Sequence, residues 1–135
     1  MPAGEAFTSR QAQQVQHAVD AARDETGLRF SVYVGRSIGD VRVHAQKLHA
    51  ALGDDAAVGV LVFVEPDARR VEIVTGETAQ RRLGDRAAGL ASLSMATSFA
   101  GGDLTGGIVN GLRMMSQAAV RPAILHVQEN SNDPF

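Results

Sequence analysis

The run Val58-Gly59-Val60-Leu61-Val62-Phe63-Val64 contains no polar side chain. A strand with one face in water alternates apolar and polar residues, so an unbroken apolar run must be covered on both faces. This segment therefore predicts a central strand, and the rest of the chain has to supply two layers of cover. Glu65-Pro66-Asp67-Ala68-Arg69 has the composition of a turn, because Pro presets φ and Asp bonds its own backbone. Val71-Glu72-Ile73-Val74 then returns, and so short a connection makes the return strand antiparallel.

The flanking segments are helical or alternating. Thr8-Ser9-Arg10-Gln11 fits a capping box, and Ala12, Val15, Val19 and Ala22 follow at helical spacing. The first helix is expected over 9–26, with Gly27 as its stop. Leu28 to Val34 alternates: Leu28, Phe30, Val32 and Val34 face one way, Arg29, Ser31 and Tyr33 the other. Asp40 can cap a second helix with Val41, Ala45, Leu48 and Leu52 as its stripe, ended by Gly53. A short helix is expected over 77–83. A helix over 86–99, capped by Asp85, carries almost no charge and is expected to be well buried. A last helix, capped by Asp103, spans 104–118.

This order predicts an α/β fold, a three-layer αβα sandwich. Its mixed sheet has three to four strands with a β-hairpin, and helices cover both faces. Residues 1–7 read as coil, 8–120 as one domain and 121–135 as a disordered C-terminal tail.

Composition narrows the function classes. The 135 residues contain no cysteine, so disulfides, thiolate nucleophiles and cysteine-ligated metals are excluded together. The formal net charge is −2 and only 4% of residues are aromatic. That predicts no nucleic-acid partner, because neither a basic footprint nor stacking platforms are present. Met1-Pro2-Ala3-Gly4-Glu5 has no signal-peptide features, and no run approaches the ~20 apolar residues of a membrane span. The chain therefore reads as cytoplasmic, without direct membrane insertion.

Most candidate chemistry has a plain structural counterpart. Gly35-x-x-x-Gly39 falls between a strand and a helix, where phosphate loops occur, but it lacks their glycine spacing and their lysine, and reads as a turn. His44 and His49 do not share a helical face, and His17 and His126 are isolated, so no histidine metal site is expected. Ser92 and Ser94 lack a nucleophile elbow. Gly106, Gly107 and Gly111 cost about 1 kcal/mol each in a helix, which points to close backbone approach to a neighbour.

The acidic residues are the remaining set. The hairpin puts Asp54 and Asp55 at the end of the sheet that also holds Thr75, Gly76 and Glu77. If the last two helices start at that end, Asp85 and Asp103 join them. Such a cluster is a hard-cation site for Ca²⁺ or Mg²⁺ as cofactor. The competing reading is that Asp85 and Asp103 are helix caps and Asp54-Asp55 solvated loop.

Gly59-Val60-Leu61-Val62-Phe63-Val64, Arg70-Val71-Glu72-Ile73-Val74-Thr75-Gly76, Leu83-Gly84-Asp85 and Phe99-Ala100-Gly101-Gly102-Asp103-Leu104-Thr105-Gly106-Gly107-Ile108 together resemble the TPM domain family. The match runs over 8–117 and is most similar to a small actinobacterial branch of unassigned function. Lys47 as the sole lysine fits a GC-rich genome. The resemblance implies the αβα sandwich. It also carries the associations of the family: thylakoid-lumen and photosystem-repair proteins, calcium binding through acidic loop residues and, for some members, acid-phosphatase activity. The residues it carries over are Asp55, Asp85 and Asp103. The chain departs from the family at its start, where Pro2-Ala3-Gly4-Glu5-Ala6 replaces an acidic segment.

Two functional classes stay open, a binding module and an enzyme. The favoured reading is a non-catalytic interaction or regulatory domain, with or without a divalent cation; the alternative is a metal-dependent, acid-phosphatase-like phosphomonoesterase, which no phosphatase motif supports. The expected protein partner is unknown. The expected assembly is a monomer or a weak homodimer built on the glycine-rich last helix and the tail around Ile124.

Overall fold

The computed structural model of the protein describes residues 7–120. Its elements are α1 (Ser9–Thr26), β1 (Arg29–Val34), α2 (Val41–Ala50), a 3₁₀ turn (Gly53–Val58), β2 (Gly59–Glu65), β3 (Arg70–Thr75), α3 (Glu77–Leu83), α4 (Asp85–Ala100) and α5 (Leu104–Ala118). The expected tail, with His126 and Ile124, lies outside the described residues. The sheet has three strands in the order β1-β2-β3. β1 runs parallel to β2, with Phe30 beside Val60 and Val34 beside Val64. β3 pairs antiparallel, with Val62 beside Ile73.

Local chemistry sets the helix ends. Thr8 Oγ1 accepts from the Gln11 amide at 3.1 Å and Gln11 Oε1 accepts from the Thr8 amide at 2.9 Å, a complete capping box. Gly27 closes α1 at φ 77°, the left-handed conformation that glycine adopts without a Cβ clash. Asp40 caps α2 through the Val43 amide. The expectation of an Asp85 cap is corrected: Gly84 occupies the cap position at φ 83°, and Asp85 is the first residue of α4.

Every β2 residue from Gly59 to Val64 is buried. Phe30, Val34, Val60, Val62 and Val64 face α1, α4 and α5 and join Val15, Val19, Met95, Phe99, Ile108, Leu112 and Met115. On the other face Leu61, Phe63 and Val74 pack against Val41 and Ala45 of α2, with Tyr33 at the margin. Helices thus cover both faces: α1, α4 and α5 against one, with Ala79 and Leu83 of the short α3 at its end, and α2 alone against the other.

α4 differs from expectation. Ala91, Met95 and Phe99 are buried, but Leu90 and Leu93 are 48% and 65% exposed. A charge-poor helix at the flank of a layer still has an outer face.

α5 is the most deeply placed helix, and its glycines explain how. A Cβ on Gly107 would lie 2.9 Å from the Phe99 ring, and one on Gly111 would lie 2.7 Å from Met95 Cγ. The glycines therefore serve the α4–α5 crossing.

Arg82 of α3 closes the lower end of this layer, where β1 and β2 begin. Its guanidinium donates to Thr26 O at the end of α1 and to Ala119 O just past α5. Two terminal carbonyls that no helix can satisfy find one cation. Replacing Arg82 with Ala is expected to cost about 1–3 kcal/mol, the range for orphaning buried carbonyls. Urea unfolding checks this: the midpoint should fall with the slope unchanged.

Gly76 is the tightest point. A Cβ there would overlap the Ala56 carbonyl oxygen and lie 2.6 Å from that of Ala57. Its amide also bonds Gly59 O at 2.9 Å. Because backbone cannot swing aside, Gly76→Ala is expected to cost about 3 kcal/mol or more. The same substitution at Gly111, facing a flexible methionine, is expected to cost less; thermal melts of the pair give the comparison.

Candidate functional site

The four carboxylates expected to gather are not gathered. Asp54 and Asp55 sit in the 3₁₀ turn, at the lower end as expected. Asp55 Oδ2 pairs with Arg29 at 3.0 Å, both side chains about half exposed, a contact worth little in stability. Asp85 also lies near that end: Gln80 Nε2 donates to Asp85 Oδ1, and Gln80 Oε1 accepts from Thr75 Oγ1 at 2.7 Å. Glu77 pairs with Arg81 one turn on.

Asp103 is elsewhere. Gly102 donates to Phe99 O and Asp103 to Ser98 O, so α4 and α5 are joined by a tight turn and run in opposite directions. Two antiparallel helices cannot both start at one end of a sheet. α5, with 15 residues, puts about 22 Å between its ends at 1.5 Å per residue. Asp103 therefore stands at the upper end, where its Oδ1 caps α5 by accepting the Gly106 amide at 2.9 Å. Among the described residues no three His, Asp or Glu side chains are grouped to hold a metal. Asp54, Asp55 and Asp85 thus lie toward one end of the sheet, and Asp103 toward the other.

The other candidates also have internal partners. In the Gly35–Gly39 loop, the Ser37 amide and hydroxyl both donate to Glu65 Oε2, at 2.9 and 3.2 Å. The position after a strand that suits an anion is filled by the protein's own carboxylate. His44 Nδ1 accepts from the Ile38 amide at 3.0 Å, and its ring meets Tyr33 and Phe63 edge-on. His49 Nε2 lies 3.3 Å from Gly59 O. Ser94 Oγ accepts from Asn110 Nδ2 across the α4–α5 pair.

What the sequence did not single out is a groove of about 790 Å³ between α1 and α5. Ala18, Ala21, Ala22, Gly106, Val109 and Leu112 line it, with His17, Arg10 and Arg113 among its polar residues and Asp103 at its upper end. Ser116 Oγ donates to Glu25 Oε1 across its lower end. The two helices approach over small side chains and carry long polar ones beside them, so the space between them is lined by both. Arg10, His17 and Glu25 look like a solvated helix face in sequence; only the distant pairing of α1 with α5 turns them into a lining. A second groove, about 310 Å³, lies between α1 and β1.

Fold and geometry together define a small αβα domain with grooves beside α1. The chain belongs to the family described as Domain of unknown function (DUF5130), whose model matches residues 1–116. Three solved structures share the fold. The BA42 protein of the psychrophilic bacterium Bizionia argentinensis is 19% identical with a TM-score of 0.75, over 84% of this chain and 81% of that one. The N-terminal domain of a P. gingivalis protein is 23% identical with a TM-score of 0.75, over 93% and 82%. The N-terminal domain of the cg2496 protein of Corynebacterium glutamicum is 16% identical with a TM-score of 0.72, over 87% and 76%. At these identities the likeness shows the fold alone.

The cap assignment of Asp103 is directly testable. Asp103→Ala is expected to lower stability by about 1 kcal/mol, while Asp103→Asn, which keeps an acceptor for the Gly106 amide, stays within a few tenths. Chemical denaturation of both variants distinguishes a cap from a residue whose charge is needed.

Proposed function

We propose that the chain is a non-catalytic interaction domain of TPM type. The observation that carries this reading is the separation of its carboxylates: Asp55 is paired with Arg29, Asp85 bonds Gln80, and Asp103 caps a helix at the opposite end. Metal-assisted hydrolysis needs converging ligands and a position left open for water. The α1–α5 groove offers instead a mixed-charge lining suited to a polar segment of a protein partner. No described helix is long and apolar enough to cross a membrane. The domain acts as a monomer or weak homodimer.

Among the described residues, the adjacent Asp54 and Asp55 of the 3₁₀ turn are the foothold left for a divalent cation. Ca²⁺ there would be held by two side chains and otherwise by water, so binding is expected to be weak. The phosphomonoesterase reading needs more than those two residues.

Titration with Ca²⁺ and Mg²⁺, followed by amide NMR, is expected to move at most residues 53–56 and to leave Asp85 and Asp103 in place. A generic phosphomonoester is expected to turn over no faster with metal than without. Metal-dependent turnover that disappears in Asp55→Asn overturns the interaction-domain reading.

A further inference from the structure

Among the described residues β1 is an edge strand. The Gly35 amide bonds Val64 O at 3.0 Å, and alternation along a strand therefore turns Ser31 and Tyr33 toward β2 and the main-chain groups of Phe30, Val32 and Val34 outward. Arg23 Nε of α1 donates to Phe30 O at 2.9 Å. Among the described residues, the outward N–H and C=O of Val32 and Val34 make no hydrogen bond. On the opposite edge Arg42 likewise donates to Ile73 O at 3.2 Å. Proteins usually blunt such edges with lysine, proline or bulges; β1 (RFSVYV) carries none of these at its centre.

The unpaired edge borders the smaller groove. Val15 and Val19 of α1, Val32 and Val34 of β1 and Phe7 make it apolar, and Arg23 marks its lower end. Ser31 also borders it. Arg23 spends its Nε on Phe30 O and has no carboxylate within ion-pair range among the described residues. An edge strand beside a helix, with a groove between them, is the arrangement used for strand addition, in which main-chain bonds give affinity and alternate side chains enter the groove.

We propose that the outer edge of β1 accepts an extended peptide strand from a protein partner, with apolar residues at alternate positions and a carboxylate that meets Arg23. The strand pairs with the main chain of Val32 and Val34, and its apolar side chains enter the groove against α1. This deepens the interaction-domain reading and rests on it, but it uses a different surface from the α1–α5 groove.

The test uses the full chain and a blocked hexapeptide of alternating valine and threonine that ends in aspartate. Hydrogen exchange and amide NMR are the readouts. Without peptide, the Val32 and Val34 amides are expected to exchange much faster than those of Ser31 and Tyr33. Peptide is expected to give saturable shifts centred on residues 31–34 and to slow exchange at Val32 and Val34. The same peptide N-methylated at alternate amides is expected not to bind, because it cannot complete the ladder. Ending the peptide in asparagine, or using Arg23→Gln, is expected to weaken binding ~10-fold, the loss of one charge-assisted contact.

Absence of shifts at millimolar peptide overturns the proposal, as does equal binding of the N-methylated form. Both results come from the unvaried protein and do not depend on how a variant folds. Shifts confined to Ala18 and Val109 overturn the edge site while leaving the interaction-domain reading standing. Protection of Val32 and Val34 without peptide also overturns it. Protection that rises with protein concentration assigns the edge to a second copy; concentration-independent protection assigns it to another part of the chain.

Discussion

A strand buried on both faces has no water on either side, and β2 is such a strand from Gly59 to Val64. Each face must then be matched by a separate apolar layer, and the two layers are unequal. One helix suffices for Leu61 and Phe63. The valines at 60, 62 and 64 need α5, with α1 and α4 beside it. The asymmetry decides where binding surfaces can arise. A single helix over a sheet leaves no interhelical space, whereas three helices on one face have seams between them. The larger groove is one of those seams, and the smaller runs where the outermost helix meets the sheet edge.

Much of this was legible in the chain because it is written locally. A capping box, a capping aspartate and a left-handed glycine act within four residues of themselves, so both ends of α1 and the starts of α2 and α5 fall where Thr8, Gly27, Asp40 and Asp103 place them, whereas α2 stops at Ala50, short of Gly53. The parity of β2 and the short turn after it were enough to give the hairpin. The 3₁₀ turn at Gly53–Val58 was not visible, since its residues carry no helical stripe. Asp85 was misjudged for a related reason: an aspartate at a helix start looks like a cap whether or not a glycine precedes it in the cap position.

The site was less legible because it is a matter of direction. Grouping Asp103 with Asp55 needed α4 and α5 to start together, and the tight turn through Gly101 and Gly102 forbids it. The α1–α5 groove was hidden for the opposite reason. Its residues lie about ninety positions apart and individually look like ordinary helix surface, so no motif announces them. What joins them is a pairing of helices that depends on the core beneath.

The bare face of α5 has an effect on the far side of that helix. Lacking a Cβ at Gly107 and Gly111, α5 leans into α4 until backbone meets Phe99 and Met95. The seam toward α1 is wide because the seam toward α4 is narrow. Two methyl groups on the α4 side of α5 would press the helix toward α1 and narrow the opposite opening. The calibre of the groove thus depends on residues outside its lining.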